Sequence, residues 1–193
     1  MKNILKSNVK TVLLTLLLVD TLFVIVHVVH ILIDRVLPGY HGFLLSDMFA
    51  LDKDGGYPEI FQYMQELAIV LMLGLLYWRR KFFIYLAWDI FFLFLLLDDS
   101  LQFHETLGET VNNLIAFPSI GGIRGQDIGE VMTTAVIGAF LLGVVLYGYL
   151  KGSPLLRAFT HRMIVLVGLL IATGVLVDLV HFVFADSPIW FNL

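Results

Sequence analysis

The chain has 193 residues, of which 59% are hydrophobic, and its formal net charge at pH 7 is -4. A soluble domain rarely exceeds about 50% apolar residues, so this composition indicates a membrane protein. The 12 Lys and Arg residues lie at the ends of apolar segments rather than on one face, which excludes a nucleic-acid surface. The absence of cysteine excludes disulfides and thiolate metal sites.

Five segments are long and apolar enough to cross a bilayer, which takes about 20 residues. They comprise residues 11–33, 60–78, 82–104, 128–150 and 160–184, which we call spans one to five. The first is too long for a signal peptide and has no small-residue cleavage motif, so we interpret it as a retained span. The sequence therefore predicts an all-α fold, with one domain over residues 1–193 built as a bundle of five transmembrane helices.

The distribution of basic residues predicts the orientation of this bundle. Nine Lys and Arg residues lie at the N-terminus and in the connections after spans two and four, namely Lys2, Lys6, Lys10, Arg79, Arg80, Lys81, Lys151, Arg157 and Arg162. Only Arg35, Lys53 and Arg124 lie on the other side. Because cytoplasmic loops carry the excess of Lys and Arg, the N-terminus is predicted to be cytoplasmic and the C-terminus to lie outside.

Every predicted span carries an ionisable group in the outer third of the membrane, by the 1.5 Å rise per helical residue. These groups are His27 and His30 in span one, Glu66 in span two, Asp98 and Asp99 in span three, Glu130 in span four, and Asp178 and His181 in span five. Ionisable groups at this depth are costly and mark a functional site by default. The sequence thus predicts a polar site near the outer surface.

The leading hypothesis for this site is a divalent metal ion, because His nitrogens and carboxylate oxygens suit Zn²⁺, Fe²⁺ or Mn²⁺. The predicted ligands are His27, His30, Asp99, His104, Glu105, Asp178 and His181, with Asp98, Glu66 and Glu130 as supporting or bridging groups. A metal-bound water could then act on a lipid-like substrate. The sequence leaves open whether the protein is an enzyme.

Two other hypotheses stay open. Asp20 and Asp89 lie in the inner halves of spans one and three, and acids at such depths form proton relays in transporters, which favours a proton- or ion-coupled transporter or channel. Alternatively, the polar groups only form hydrogen bonds between helices, and the protein is an accessory subunit of a larger membrane complex.

Small residues repeat at four-residue spacing on spans four and five: Ala135, Ala139 and Gly143, then Gly168 and Ala172. Such stripes permit close helix contact. Packing within the bundle is the first interpretation, and a membrane-protein partner or a second copy of the chain is the alternative. Membrane lipids are the remaining predicted partner.

His104 and Glu105 are neighbours in sequence, and neighbours on a regular helix differ by about 100° in direction. One helix therefore cannot aim both side chains at one small site. We predict two polar faces at the top of span three, with His104 toward spans one and five, and Glu105 and Asp98 toward spans two and four. Both faces escape lipid only if span three is central in the bundle.

Two motifs carry a resemblance to a known group of proteins. They are Met48-Phe49-Ala50-Leu51-Asp52-Lys53-Asp54 with Pro58, and Leu97-Asp98-Asp99 followed by His104-Glu105. From the first loop through span three, the chain resembles a group of uncharacterised bacterial multi-pass membrane proteins, which usually have Asp-Glu in place of Asp98-Asp99. The resemblance implies a bacterial inner-membrane location and no particular activity. In such a membrane, the outer side on which the basic residues predict the C-terminus to lie is the periplasm.

Overall fold

The computed structural model describes the backbone of residues 2–36, 46–51, 53–119 and 124–185, and the side chains of these residues except 2–7, 31, 34–35, 47, 170–171 and 173–185. Every regular element in these ranges is helical, as predicted. The α-helices are α1 (Lys2–Val36), α2 (Tyr57–Arg80), α3 (Phe83–Leu101), α4 (Phe103–Ile115), α5 (Gly125–Lys151) and α6 (Pro154–Ala185), and a 3-10 helix covers Asp47–Phe49.

Three of the described helices are long and apolar enough to cross a membrane: Asn8–His30 within α1, then α2 and α5. Their apolar side chains are widely exposed; Leu17 is 52% exposed and Val136 is 65% exposed. Large exposed apolar surfaces of this kind are typical of helices that face lipid or a partner. The chain is therefore a membrane protein with at least these three candidate spans.

The chain divides into two compact units, and α2 and α3 contribute residues to both. The first unit comprises Met1–Met72 and Phe92–Phe103. Its buried residues include Ala50 and Phe92 and, unusually, the acids Glu66 and Asp98. Phe23 of α1 packs on Phe61 of α2 with a centroid distance of 5.8 Å. This unit therefore combines ordinary apolar packing with buried carboxyl groups.

The second unit comprises Leu73–Phe91 and His104–Leu193. Trp88 and Thr160 are completely buried, and Ile84 and Val145 are nearly so. A Cβ atom on Gly148 would lie 3.0 Å from Ile84 Cδ1, so α3 and α5 approach closely because this position is a glycine. The core of this unit is a well-packed apolar cluster.

Two short turns set neighbouring helices antiparallel within the second unit. Lys81 leaves α2 with a φ of 57°, and α3 begins two residues later. The two helices lie close together at Gly74, where a Cβ atom would touch the Asp89 carboxylate at 3.4 Å. After α5, Arg157 donates hydrogen bonds to the carbonyls of Tyr149 and Leu150, which satisfies the C-terminal end of that helix.

The end of span three differs from the prediction. A single helix was expected over 82–104, whereas α3 ends at Leu101 and α4 begins at Phe103. Gln102 interrupts the helix with a φ of 50°, a left-handed conformation that costs a non-glycine residue roughly 1–2 kcal/mol. His104 and Glu105 therefore lie on α4, whereas Asp98 lies on α3. The directions of the two predicted polar faces cannot be derived from the geometry of one regular helix.

Candidate functional site

The first unit contains a hydrogen-bonded set of acids and amides from α1, α2 and α3. Gln62 donates its Nε2–H to Oε1 of Glu66 at 3.1 Å and to Oδ2 of Asp99 at 3.0 Å. One amide nitrogen thus joins two carboxyl groups on different helices. Gln65 donates to Oδ1 of Asp20 at 2.9 Å and so connects α2 to α1. We call these five residues, together with Glu59 and Tyr63, the acid–amide network.

Glu66 is the most buried of the residues that α2 contributes to this network, and the residue is only 8% exposed. Its Oε2 atom is buried and forms no hydrogen bond with any described residue. Within the described part of the chain, no Lys, Arg or His pairs with it either. A buried carboxylate is costly unless it has hydrogen bonds or a counter-charge, while the neutral acid is much less so. Glu66 therefore has a physical reason to accept a proton.

The network reaches the surface at the beginning of α2. The Tyr63 hydroxyl lies 2.9 Å from the backbone oxygen of Asp99 and also contacts the Glu59 carboxylate. The other Glu59 oxygen accepts the N–H of Gly55 in the exposed turn before α2. Gly55 has a φ of 70°, which a glycine adopts without strain. A continuous set of hydrogen bonds therefore runs from an exposed turn to α3.

The two predicted ligands on α1 have different surroundings. His27 accepts the backbone N–H of Leu51 on its Nδ1 atom at 3.2 Å, which holds the segment after the 3-10 helix against α1. Nδ1 of His30 is buried and has no hydrogen-bond partner among the described residues. His27 thus has a structural contact on one ring nitrogen.

Asp98 is 6% exposed, and Asp99 is half-buried, just before the left-handed Gln102. Strained backbone conformations of this kind cluster at functional sites. The direction predicted for Asp98, toward spans two and four, stays a prediction. Asp99 enters the acid–amide network through both its side chain and its backbone carbonyl.

The predicted residues of the second unit whose side chains the structure describes lie on α3, α4 and α5. His104 Nε2 is 4.0 Å from Glu105 Oε1, and these side chains are 34% and 48% exposed. Glu130 accepts a hydrogen bond from Gln126 at 2.9 Å. Oδ1 of Asp89 is buried and has no hydrogen bond to the described residues. None of these contacts forms a set of several acids and histidines like the one that the sequence predicts.

An ion pair lies at the N-terminal end of α5, outside the apolar part of the helix. Arg124 donates to Asp127 at 2.6 Å, and this hydrogen bond raises the pKa of the Arg124 guanidinium. Arg124 is exposed and Asp127 is partly exposed, so solvent screens the pair and it contributes little to stability. Its role is to fix the backbone at the start of α5, where Asp127 also accepts the Arg124 N–H at 2.9 Å.

The predicted metal ligands do not converge in the part of the chain that the structure describes. No group of three or more His, Asp or Glu side chains there is arranged to hold a metal ion. The first unit contains His27, His30, Glu66, Asp98 and Asp99, and the second contains His104, Glu105 and Glu130. The side chains of Asp178 and His181 lie outside the described residues. The seven-residue metal site therefore stays a prediction.

Asp20, Glu66 and Asp99 were predicted from the sequence as site residues, whereas Glu59 and the groups that join these acids were not. Gln62 shares a helical face with Glu59 and Glu66, at the spacing i, i+3 and i+7, and that pattern was a usable signal. Tyr63 and Gln65 were missed, because a single tyrosine or amide in a span has many ordinary explanations. The signal that could have found them is their density, with five polar residues between 59 and 66 at the start of an apolar helix.

Comparison with protein families adds one finding. A family model described as Domain of unknown function (DUF8692) matches residues 12–190. The chain belongs to the DUF8692 family. This match contains the whole acid–amide network, so the network lies within the DUF8692 domain and not in an appended segment. The family agrees with the resemblance to an uncharacterised group, and no curated protein or solved structure matches the chain.

Proposed function

We propose that this DUF8692 protein carries protons across its membrane and that Glu66 is the residue that binds the proton. The observation that carries the proposal is the buried Oε2 atom of Glu66, which has no hydrogen bond to a described residue. The other oxygen shares one amide donor with the carboxyl group of Asp99. Ionisable groups in membrane helices are costly and by default mark functional sites, proton relays among them.

The proposed uptake and release of a proton requires only Glu66, Asp99, Gln62 and water. A proton from water adds to Oε2 of the Glu66 carboxylate and gives a neutral carboxylic acid. The nearby Asp99 carboxyl favours this step, because two neighbouring carboxyl groups rarely hold two full charges in a low dielectric. Release of the proton restores the carboxylate. The hydrogen bond from Gln62 to Oε1 holds the side chain in place in both states.

The network also supports an entry route from the outer surface. Glu59 is the acid nearest to the exposed turn, and Tyr63 lies between it and α3. Asp20, held by Gln65, provides the next acid on α1. The proposed route therefore runs from Glu59 past Tyr63 toward Glu66, with Asp20 as the candidate for the next step of the relay within the first unit.

A proton is better supported than a divalent metal ion by the same geometry. Protein sites for Zn²⁺ take three or four ligands, whereas a proton needs one carboxyl oxygen. Oε2 of Glu66 is such an oxygen. No group of three or more His, Asp or Glu side chains among the described residues is arranged to hold a metal ion.

We also propose the finer membrane arrangement that the basic residues predict. In it, α3 and α6 cross the membrane together with the three candidate spans, which gives five crossings. The N-terminus is cytoplasmic and the C-terminus periplasmic, in the inner membrane of a bacterium. This orientation places Glu59 and the exposed turn at Gly55 on the periplasmic side, where protons would enter.

Proton flux into vesicles tests the proposed function. Purified protein is reconstituted into vesicles that contain a pH-sensitive dye, and a pH gradient is applied with a potassium ionophore to compensate charge. We expect the natural protein to acidify the interior faster than empty vesicles do. Glu66→Gln keeps the shape and hydrogen-bonding capacity of the side chain but cannot take up a proton, so its flux should fall to the rate of empty vesicles.

Glu109→Gln is the matched control, because it makes the same chemical change at an exposed position on α4. Its flux should equal that of the natural protein. Equal flux in Glu66→Gln and in the natural protein would contradict the role of Glu66. A natural protein no faster than empty vesicles would contradict proton transport altogether and favour the accessory-subunit hypothesis.

A further inference from the structure

A lateral groove lies in the second unit, on the side of α5. It has a volume of about 340 Å³ and is lined by Phe83 of α3 and by Ala139, Phe140, Gly143, Val144 and Tyr147 of α5. This volume is within the range of about 300–1,000 Å³ that is usual for ligand pockets. Phe140 is 70% exposed and Tyr147 is 56% exposed, so the groove opens sideways. A groove that opens sideways from a membrane helix faces the hydrocarbon region.

The depth of the groove depends on a small residue. A Cβ atom on Gly143 would meet nothing within 4 Å, so the space above this residue is open. One wall is formed by Phe83 and Tyr147, whose rings meet edge to face with a centroid distance of 5.5 Å. The groove therefore has an apolar floor and a rigid aromatic wall, a shape that suits a hydrocarbon chain.

A positive charge lies at one end of this wall. Lys151, the last residue of α5, places its Nζ atom 5.9 Å from the centre of the Tyr147 ring. A lysine at the end of a membrane helix lies near the lipid headgroups, and a basic residue there attracts anionic lipids. The apolar groove matches an acyl chain, and the lysine at its end matches a negatively charged headgroup. A single lipid molecule carries both parts.

We infer that this groove binds an anionic phospholipid, with an acyl chain between Phe83 and Gly143 and the headgroup phosphate beside Lys151. The inference does not depend on proton transport. A second copy of the chain is the competing occupant. A symmetric pair packed through this groove would bring two copies of Lys151 to the same depth, where like charges repel, whereas an anionic lipid complements the lysine. Charge complementarity therefore favours the lipid.

Retention of lipid by the purified protein tests this inference. The full-length protein is reconstituted into vesicles made of equal parts of phosphatidylglycerol and phosphatidylcholine, then extracted in mild detergent, and the bound lipids are counted by mass spectrometry. The natural protein should retain phosphatidylglycerol about fivefold over phosphatidylcholine, the factor that corresponds to ~1 kcal/mol for one basic residue near an anionic lipid.

Two variants separate the headgroup from the acyl chain. Lys151→Gln should retain both lipids equally, while Gly143→Leu fills the groove and should retain neither above background. Their controls are Lys53→Gln, an exposed lysine in a loop, and Gly138→Leu, another open glycine of α5 that does not line the groove. Both controls should behave like the natural protein.

Three results would overturn the inference. The first is equal retention of the two lipids by the natural protein, and the second is a preference that survives Lys151→Gln. The third is rapid disulfide formation between copies that carry Gly143→Cys, because it would show that a second copy fills the groove.

Discussion

Gly108→Ala is expected to destabilise the protein by about 3 kcal/mol, the upper end of the usual cost of overpacking, because the added methyl group would meet main-chain atoms. The Cβ atom of the new residue would lie 2.6 Å from the backbone N and 2.7 Å from the Cα of Glu130. These are main-chain atoms of α5, so no side-chain rotation can relieve the clash. Helices α4 and α5 would have to separate. Denaturant unfolding in detergent, followed by circular dichroism, measures the effect.

Gly138→Ala provides the matched control for this prediction. It makes the same change in α5, at a glycine whose added Cβ atom would touch nothing within 4 Å. Because alanine favours a helix by up to about 1 kcal/mol over glycine, this variant should be equally stable or slightly more stable. If Gly108→Ala were as stable as Gly138→Ala, the close crossing of α4 and α5 would be wrong.

Gln62→Met is expected to reduce proton flux by about 10- to 100-fold. Methionine keeps most of the volume of glutamine but removes the amide that joins Glu66 to Asp99. Hydrogen bonds to charged groups contribute about 1.5–3 kcal/mol. Each 1.4 kcal/mol lost lowers the population of the arrangement that holds Glu66 beside Asp99 about tenfold. The flux assay described for Glu66→Gln measures this change directly.

Gln126→Met is the control for that variant. Gln126 donates to Glu130 four residues later, as Gln62 does to Glu66, but it lies in the second unit and outside the acid–amide network. Its flux should stay close to that of the natural protein. A similar loss in both variants would indicate a general packing defect instead of a specific role for Gln62.

Hydrophobic segments predicted the positions of the helices well, because lipid requires about 20 apolar residues in each span. The predicted span 60–78 corresponds to Tyr57–Arg80, and 128–150 corresponds to Gly125–Lys151. Helix α1 extends beyond its apolar segment through the N-terminal lysines. The break at Gln102 was not predicted, since no glycine or proline marks this left-handed position in the sequence.

The candidate site was predictable to the level of individual acids but not of their partners. Glu66 stood out because one carboxyl group in an apolar span is costly, and it is indeed buried. The sequence placed it in a large metal site with residues from all five spans. The described structure places it beside Gln62 and Asp99, whose side chains come together only when α2 and α3 pack, and the metal site stays a prediction. Spacing along one helix cannot specify contacts between helices.

The central claim is that Glu66 takes up a proton inside the membrane, and infrared difference spectroscopy tests it most directly. Protein with isotope-labelled glutamate is reconstituted in lipid and titrated with acid and base, and the carbonyl stretch of protonated carboxyl groups is recorded. We predict a titrating band from a protonated glutamate that is present in the natural protein and in Glu109→Gln but absent in Glu66→Gln. A spectrum that is unchanged by Glu66→Gln at every pH would contradict the account.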